Sequence, residues 1–254
     1  CVLVVDAPAA VVFSINTIGT VLGSLGAGLM LIPLVGIRHT IEIALVLNLG
    51  LGILVAFSDS VYSQMKKYVS IGLIIVLTLT YFFFAPDWSR IITLSGVFRN
   101  INDNDAPPSS YQEFLISSQP PEVYFYKEGT TATVAVTKTV SVLYGEQKVL
   151  VINGKGDASS KGDMPTQVLL AQFPAMLHAK PETALVIGLG SGATAGSLLS
   201  HPIKQLDCVE ISPEVVEAME FFSEVNHRPQ EDPRFRLYIE DALAFLNLTR
   251  KNYD

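Results

Sequence analysis

Between Asp6 and Arg38 the chain runs for 31 residues without a charged side chain, and this run constrains the fold more than any other feature. A membrane-crossing helix needs about 20 apolar residues, because the hydrocarbon core is about 30 Å thick and a helix rises 1.5 Å per residue. A second apolar run covers Ile41–Phe57, with Glu42 near its start. A third, Tyr68–Pro86, is charge-free and ends in Tyr81-Phe82-Phe83-Phe84, with Trp88 just beyond. Aromatic side chains at that place suit the interfacial belt of a bilayer. The spacing predicts transmembrane helices over about 8–35, 41–58 and 68–86, within a membrane segment 1–87. The competing arrangement is a set of buried helices in a large soluble core.

Small residues gather in the first run, where Gly19 and Gly23 form a small-xxx-small pair. Such pairs permit close helix contact in lipid, so these helices are expected to pack against others. Asn16 and Asn48 are expected to bond between helices, and no proton-relay pattern accompanies them. A cleaved leader fits poorly, because the apolar material recurs three times without a basic leading region. With the later half cytoplasmic, Arg38 and Arg90 lie inside but Lys66 and Lys67 lie outside, which satisfies the charge rule only in part.

Charge separates the halves. Residues 1–86 hold three acids and three bases, so the whole net charge of −7 belongs to the rest of the chain. An acidic second half without a basic stripe excludes nucleic acid as the expected partner. Two cysteines, Cys1 and Cys208, make no disulfide framework, and no metal-ligand spacing occurs.

Residues 88–121 read as a linker, with the polar, proline-containing stretch Asn100–Ser110 at its centre. Residues 122–160 read as a small antiparallel unit. Val123–Tyr126, Thr131–Lys138 and Lys148–Asn153 have strand character, and Tyr144-Gly-Glu-Gln147 reads as a hairpin turn.

From 161 to 254 strands and helices alternate. Ala184–Ile187, Gln205–Glu210 and Phe235–Ile239 read as buried strands. Helices are predicted over Ala193–Ser200, from Pro213 to about Asn226 with Ser212 as cap, and over Asp241–Leu248. Such alternation implies a parallel, doubly wound sheet with ligand at the carboxyl ends of its strands. Gly188-Leu-Gly-Ser-Gly192 makes a tight strand-to-helix turn that lets backbone N–H groups approach a ligand. Glu210 ends the next strand, where a carboxylate accepts both ribose hydroxyls, and Asp241 ends the third, facing an adenine amino group. The spacing Gly188-x-Gly190-x-x-Ala193 also suits NAD. His178 and His201 read as capping or loop residues at helix ends, and Cys208 as a buried small hydrophobe. Asn247-Leu-Thr249 matches a glycosylation acceptor but lies on the half expected to be cytoplasmic.

Several segments together resemble the spermidine synthase (polyamine aminopropyltransferase) family, in its bacterial membrane-fused subgroup. They are Val149–Ser160, Gly162–Gln167, Leu177-His178, Val186–Thr194, Val209–Val216, Asp232–Arg234, Asp241-Ala242 and Tyr253-Asp254. The hydrophobic Asn16–Leu25 and Leu31–Gly36 also look like the last helices of the fused subgroup. The resemblance implies a multi-domain chain. A transmembrane α-helical segment precedes a small antiparallel β unit and an α/β Rossmann-like, class I methyltransferase-like domain, truncated at its C-terminus. It implies decarboxylated S-adenosylmethionine or S-adenosylmethionine as co-substrate, no metal, and an amine acceptor. Gly188, Gly190, Ser191 and Gly192 would form the nucleoside loop; Glu210 would hold the ribose, and Asp241 with Ala242 would contact the adenine. A lipid bilayer and a second copy are the further partners implied. The location implied is the bacterial inner membrane, crossed several times, with the C-terminal domain in the cytoplasm.

The chain departs from the family where substrate is chosen. The loop acid that pairs with the donor's free amine is replaced by Ser191, and a glutamine of the early strand by Ala132. The family's tyrosine-histidine pair aligns with Pro165-Thr166 or Thr166-Gln167. Asp157, Asp163, Thr166 and Gln167 are the substrate-loop candidates, and the two aspartates could stand in for the lost acid. The family's catalytic aspartate is expected beyond Asp254, so the 254 residues read as a piece of a longer protein. Two other functions fit the same residues. One is an S-adenosylmethionine-dependent methyltransferase or NAD-binding enzyme; the other is a non-catalytic nucleoside-sensing domain on a transporter-like membrane protein.

Overall fold

The computed structural model describes residues 7–58, 63–85, 89–96, 108–118 and 122–254. Asp6, Pro86, Trp88 and the 100–107 part of the expected linker lie outside the described residues. The chain divides into two units, Cys1–Trp88 and Ser89–Asp254.

In the first unit α1 (Ala7–Gly26) passes through a π-helical turn (Ala27–Leu31) into α2 (Ile32–Ser58), and α3 spans Gln64–Phe84. Pro33 has no N–H to give the preceding turn, which suits the widened π turn beside it. Two stretches, Ala9–Ser58 and Gln64–Phe84, are long and apolar enough to cross a membrane by length and composition. The sequence predicts a non-helical gap between 35 and 41. The structure narrows it to a kink at Gly36, with φ 84° and ψ 169°. Helix resumes at once because Arg38 and His39 pair with Glu42 one turn on, at 2.9 and 2.8 Å, and the Thr40 hydroxyl donates to the Gly36 carbonyl at 2.8 Å. Among the described residues, Asn48 donates to Ala44 O of its own helix at 2.9 Å, and nothing lies within 4 Å of a side chain built at Gly19 or Gly23.

The second unit begins with short helices α4 (Arg90–Leu94) and α5 (Tyr111–Ser118). An antiparallel meander follows in the order β1 (Glu122–Glu128), β2 (Thr133–Ser141), β3 (Gly145–Ile152), β4 (Lys155–Ser159). Leu94 packs on Ala135 and Val151, on one face of this sheet. Val134, Val136, Leu150 and Ala158 face the other way into the main core.

That core is shared with a parallel sheet. Helix α6 (Met164–Leu177) leads into β5 (Thr183–Ile187), α7 (Ala193–Leu199), β6 (Gln205–Glu210), α8 (Pro213–Met219), β7 (Phe235–Ile239) and α9 (Ala242–Leu248). The three strands pair in parallel in the order β5-β6-β7, with Val186 beside Cys208 and Cys208 beside Leu237. Helix α8 ends at Met219, short of the predicted Asn226, and a 3₁₀ turn (Glu220–Phe222) follows. Ser212 caps nothing through its side chain; its hydroxyl donates to Glu214 instead, at 2.8 Å.

Two contacts fix the chain around β6. The Arg234 guanidinium donates to the carbonyls of Leu199, His201 and Ile203 and pairs with Asp232 at 2.7 Å, tying the loop after α7 to the start of β7. Asp207, fully buried, accepts from Lys251 (2.6 Å), Tyr253 (2.7 Å) and Gln205 (2.7 Å). Burial raises its pKa, but those bonds outweigh burial and hold it below the usual carboxylate value. At the chain's last residue, Asp254 N donates to Thr183 O at 3.0 Å.

Candidate active site

The carboxyl ends of β5, β6 and β7 bring together the glycine loop, Glu210 and Asp241. Gly188, Gly190 and Gly192 all take positive φ, which lets the loop turn back on itself directly after β5. At Gly192 a side chain would also meet Met219 Sδ at 2.8 Å, so the loop lies flush against α8. Glu210, only 8% exposed, holds the loop in place: Leu189 N donates to Oε2 at 2.8 Å and Ser212 N to Oε1 at 2.9 Å. Each carboxylate oxygen has two lone-pair directions, so each keeps one for a ligand hydroxyl. Burial and the neighbouring Glu210 charge push the Cys208 thiol up to about 12, which leaves it an inert core group.

Asp241 precedes α9 and caps it, accepting from Ala244 N at 2.8 Å through Oδ1. Ala242 is the first residue of that helix. Exposed isoleucines sit at the same strand ends: Ile187, Ile211 and Ile239. Apolar surface beside a few fixed polar groups is what a flat heterocycle needs.

Ser191 is placed differently from the rest of its loop. It is 1% exposed, its hydroxyl donates to Gln167 Oε1, and Ala193 N donates back to it at 3.2 Å. Its side chain is therefore committed to Gln167 and offers a ligand nothing. Gln167 also donates to Ser159 O at 3.0 Å, and its carbonyl accepts from Thr194 at 2.9 Å. Of the four substrate-loop candidates, Gln167 alone bonds to the glycine loop. Thr166 and Gln167 lie in the first turn of α6 rather than in a loop, Thr166 exposed. Asp163 precedes that helix without a side-chain cap bond. Asp157 lies on β4 and pairs with Lys155 at 2.5 Å, so it is committed to its own strand. His178 ends α6, and His201 Nε2 meets Gln172 Oε1 at 2.8 Å.

Two supporting residues escaped the sequence. Asn226 is fully buried and donates to Ser191 O (2.9 Å) and Met219 O (3.2 Å), so it fixes the loop from behind. Its only signal is a lone polar residue just before a run of loop-forming residues. Glu214, 5% exposed, sits against Gly129 in the β1–β2 turn, where any side chain would come within 2.2 Å of Glu214 Cδ. Nothing in the local pattern marks that contact.

Residues 164–254 match the family model for the spermine/spermidine synthase domain. This part of the chain is similar to that domain. The polyamine aminopropyltransferase of Clostridium tetani is 28% identical over 113 residues, 44% of this chain and 40% of the relative. Spermidine synthase 1 of Hyoscyamus niger is 37% identical over 117 residues, 45% of this chain and 36% of the relative. The chain thus spans about two fifths of the length of these curated relatives. The crystal structure of spermidine synthase from Thermotoga maritima superposes with a TM-score of 0.48 at 20% identity, over 54% of this chain and 46% of that one. The matched synthase domain begins at the first residue of α6 and contains the glycine loop, Glu210 and Asp241.

Proposed function

We propose that the chain binds a sulfonium nucleoside, decarboxylated S-adenosylmethionine or S-adenosylmethionine, and transfers an aminopropyl or related alkyl group from it to an amine. The observation that carries this reading is Glu210, a buried carboxylate whose two oxygens are aimed by Leu189 N and Ser212 N and keep capacity for two ribose hydroxyls. The synthase-domain match over 164–254 supports the chemistry. In the transfer a neutral amine attacks the carbon beside the positive sulfur. The C–S bond breaks, methylthioadenosine leaves, and the amine loses a proton. Gly188, Gly190, Gly192 and Glu210 supply orientation, from which much of the rate in such a displacement comes. In this reading Asp241 faces the adenine and the exposed isoleucines cover its ring; its cap position and their exposure at the strand ends support it. These residues bind and orient; none of them is assigned as the base.

We propose further that the chain is anchored in a bacterial inner membrane with residues 164–254 in the cytoplasm; the two long apolar helical stretches support the anchoring itself.

The deciding experiment incubates the full chain in its native membranes with decarboxylated S-adenosylmethionine and putrescine. Methylthioadenosine and spermidine should appear in equal amounts. Binding of the nucleoside without any product would overturn the transferase reading. Release of the chain by alkaline carbonate would overturn the anchoring.

A further inference from the structure

Glu214 is a buried carboxylate that the proposed chemistry does not use. It lies in the first turn of α8 and is 5% exposed. Burying a carboxylate is costly unless it is hydrogen-bonded. Contact with the β1–β2 turn does not by itself call for a charge, because Gly129 presents only its backbone there, and a side chain built on it would come within 2.2 Å of Glu214 Cδ. The carboxylate has a specific partner in the Ser212 hydroxyl, which donates to Oε2 at 2.8 Å.

That bond changes what Ser212 does. A serine directly before a helix ordinarily turns its oxygen toward the first N–H groups of the helix. Ser212 makes no such bond and stays extended, with φ −104° and ψ 111°. Its hydroxyl is drawn to Glu214 while its own N–H donates to Glu210 Oε1 at 2.9 Å. Ser212 is buried, so water has little access to either bond. One residue is thus fixed at both of its hydrogen-bond donors, and the second of them aims the Glu210 carboxylate.

The surroundings of Glu214 are fixed as well. Strand β1 runs alongside α8 and the turn after it in the opposite direction, so that Gly129, Lys127 and Phe125 meet Glu214, Glu217 and Phe221 in turn. Lys127 Nζ pairs with Glu217 at 2.6 Å, and the rings of Phe125 and Phe221 lie 5.7 Å apart. Lys148 of β3 adds a bond to Phe221 O at 2.8 Å. With the sheet held along the helix in this way, Gly129 closes one side of the Glu214 carboxylate.

We infer that Glu214 is a positioning residue for nucleoside binding, acting through Ser212 to aim Glu210 Oε1 at a ribose hydroxyl. The inference rests on the ribose assignment of Glu210 and adds to it the group that sets the aim. Its consequence is selective: Glu214 matters to a ligand that carries the ribose hydroxyls and not to one that lacks them.

The test measures binding of methylthioadenosine and of its 2′,3′-dideoxy counterpart to the full chain in native membranes. The unaltered chain should prefer the ribose ligand by about tenfold or more, as expected of hydrogen bonds to a charged group. Ser212→Ala and Glu214→Ala should each reduce that preference by about fivefold, the effect of one hydrogen bond. The double variant should lose no more than either alone, because the two residues act through one bond. Equal binding of both ligands by the unaltered chain would overturn the ribose assignment, and the inference with it. A clear preference that both alanine variants retain leaves the assignment standing and overturns the inference alone. Weakening of both ligands by the same factor has that second meaning too, since Glu214 would then only hold sheet to helix. Additive losses in the double variant overturn the route through Ser212. If Glu214→Ala does not fold, Ser212→Ala decides by the same readings.

Discussion

The hydroxyl of Ser191 donates to the side-chain amide oxygen of Gln167, joining the glycine loop to the first turn of α6 across 24 residues of sequence. Ser191 is buried and Gln167 half-buried, so removing the hydroxyl leaves the amide oxygen without that partner. Ser191→Ala should therefore cost about 1–2 kcal/mol, the usual range for a buried polar group left without its partner. A shifted urea midpoint with an unchanged slope would report it. An unchanged midpoint would show that the bond contributes nothing.

Glu210 joins the loop to the end of β6 through two backbone N–H groups. Glu210→Ala should weaken nucleoside binding at least tenfold by calorimetry, because the loop loses its brace and the ribose its acceptor. Charged hydrogen bonds contribute about 1.5–3 kcal/mol each. Affinity equal to that of the unaltered chain would remove the ribose assignment.

Asp207, Lys251 and Tyr253 contribute to the pH dependence of the second unit at both ends. The Asp207 carboxyl is held below its ordinary value, so its contribution is complete above an unfolded pKa of about 4 and is lost as pH falls through the lower folded value. Burial and the bond to Asp207 raise the Tyr253 phenol to about 12. A raised pKa favours the neutral phenol in the folded chain, so that contribution is complete below about 10 and fades as pH climbs toward 12. Lys251, raised by its bond to Asp207, loses its contribution in the same alkaline direction. Thermal unfolding across pH should show both edges, and Asp207→Asn should flatten the acid one. An Asp207→Asn chain with the same acid edge would place the titration elsewhere.

Gly196 faces the backbone of Asn226, and a methyl there would lie 1.8 Å from Asn226 O. Backbone cannot swing aside as a side-chain tip can. Gly196→Ala should cost about 3 kcal/mol or more, at the severe end of overpacking. A loss under about 1 kcal/mol in denaturant unfolding would mean that the loop after α8 yields.

The parallel strands were legible because each is a short apolar run with polar punctuation; Phe235–Ile239 coincides with β7 at both ends. Strand β4 was not, since Lys155-Gly-Asp carries no apolar alternation, and it is extended because β3 pairs with it. Of helix α6 only the end at His178 was legible; its extent was hidden by Pro165 at its start and Pro174 within it, residues that read as breakers although the first turn tolerates proline. The kink at Gly36 was visible as a polar gap but not in its brevity, which depends on Glu42 reaching back to Arg38. In the crevice, Glu210 and Asp241 could be placed by their position after strands. The inward turn of Ser191 could not, because its partner Gln167 lies in a first helical turn the pattern did not reveal.

The bond from Asp254 N to Thr183 O has a topological result. Gly188 N donates to Val209 O, so alternate residues of β5 face β6 and Thr183 faces the opposite edge. The chain therefore runs outward from β5 to β6 to β7 on one side and comes back to β5 on the other. In doubly wound sheets the strand where that direction reverses opens a cleft at its carboxyl end. Here that strand is β5, and the first residue beyond it is Gly188.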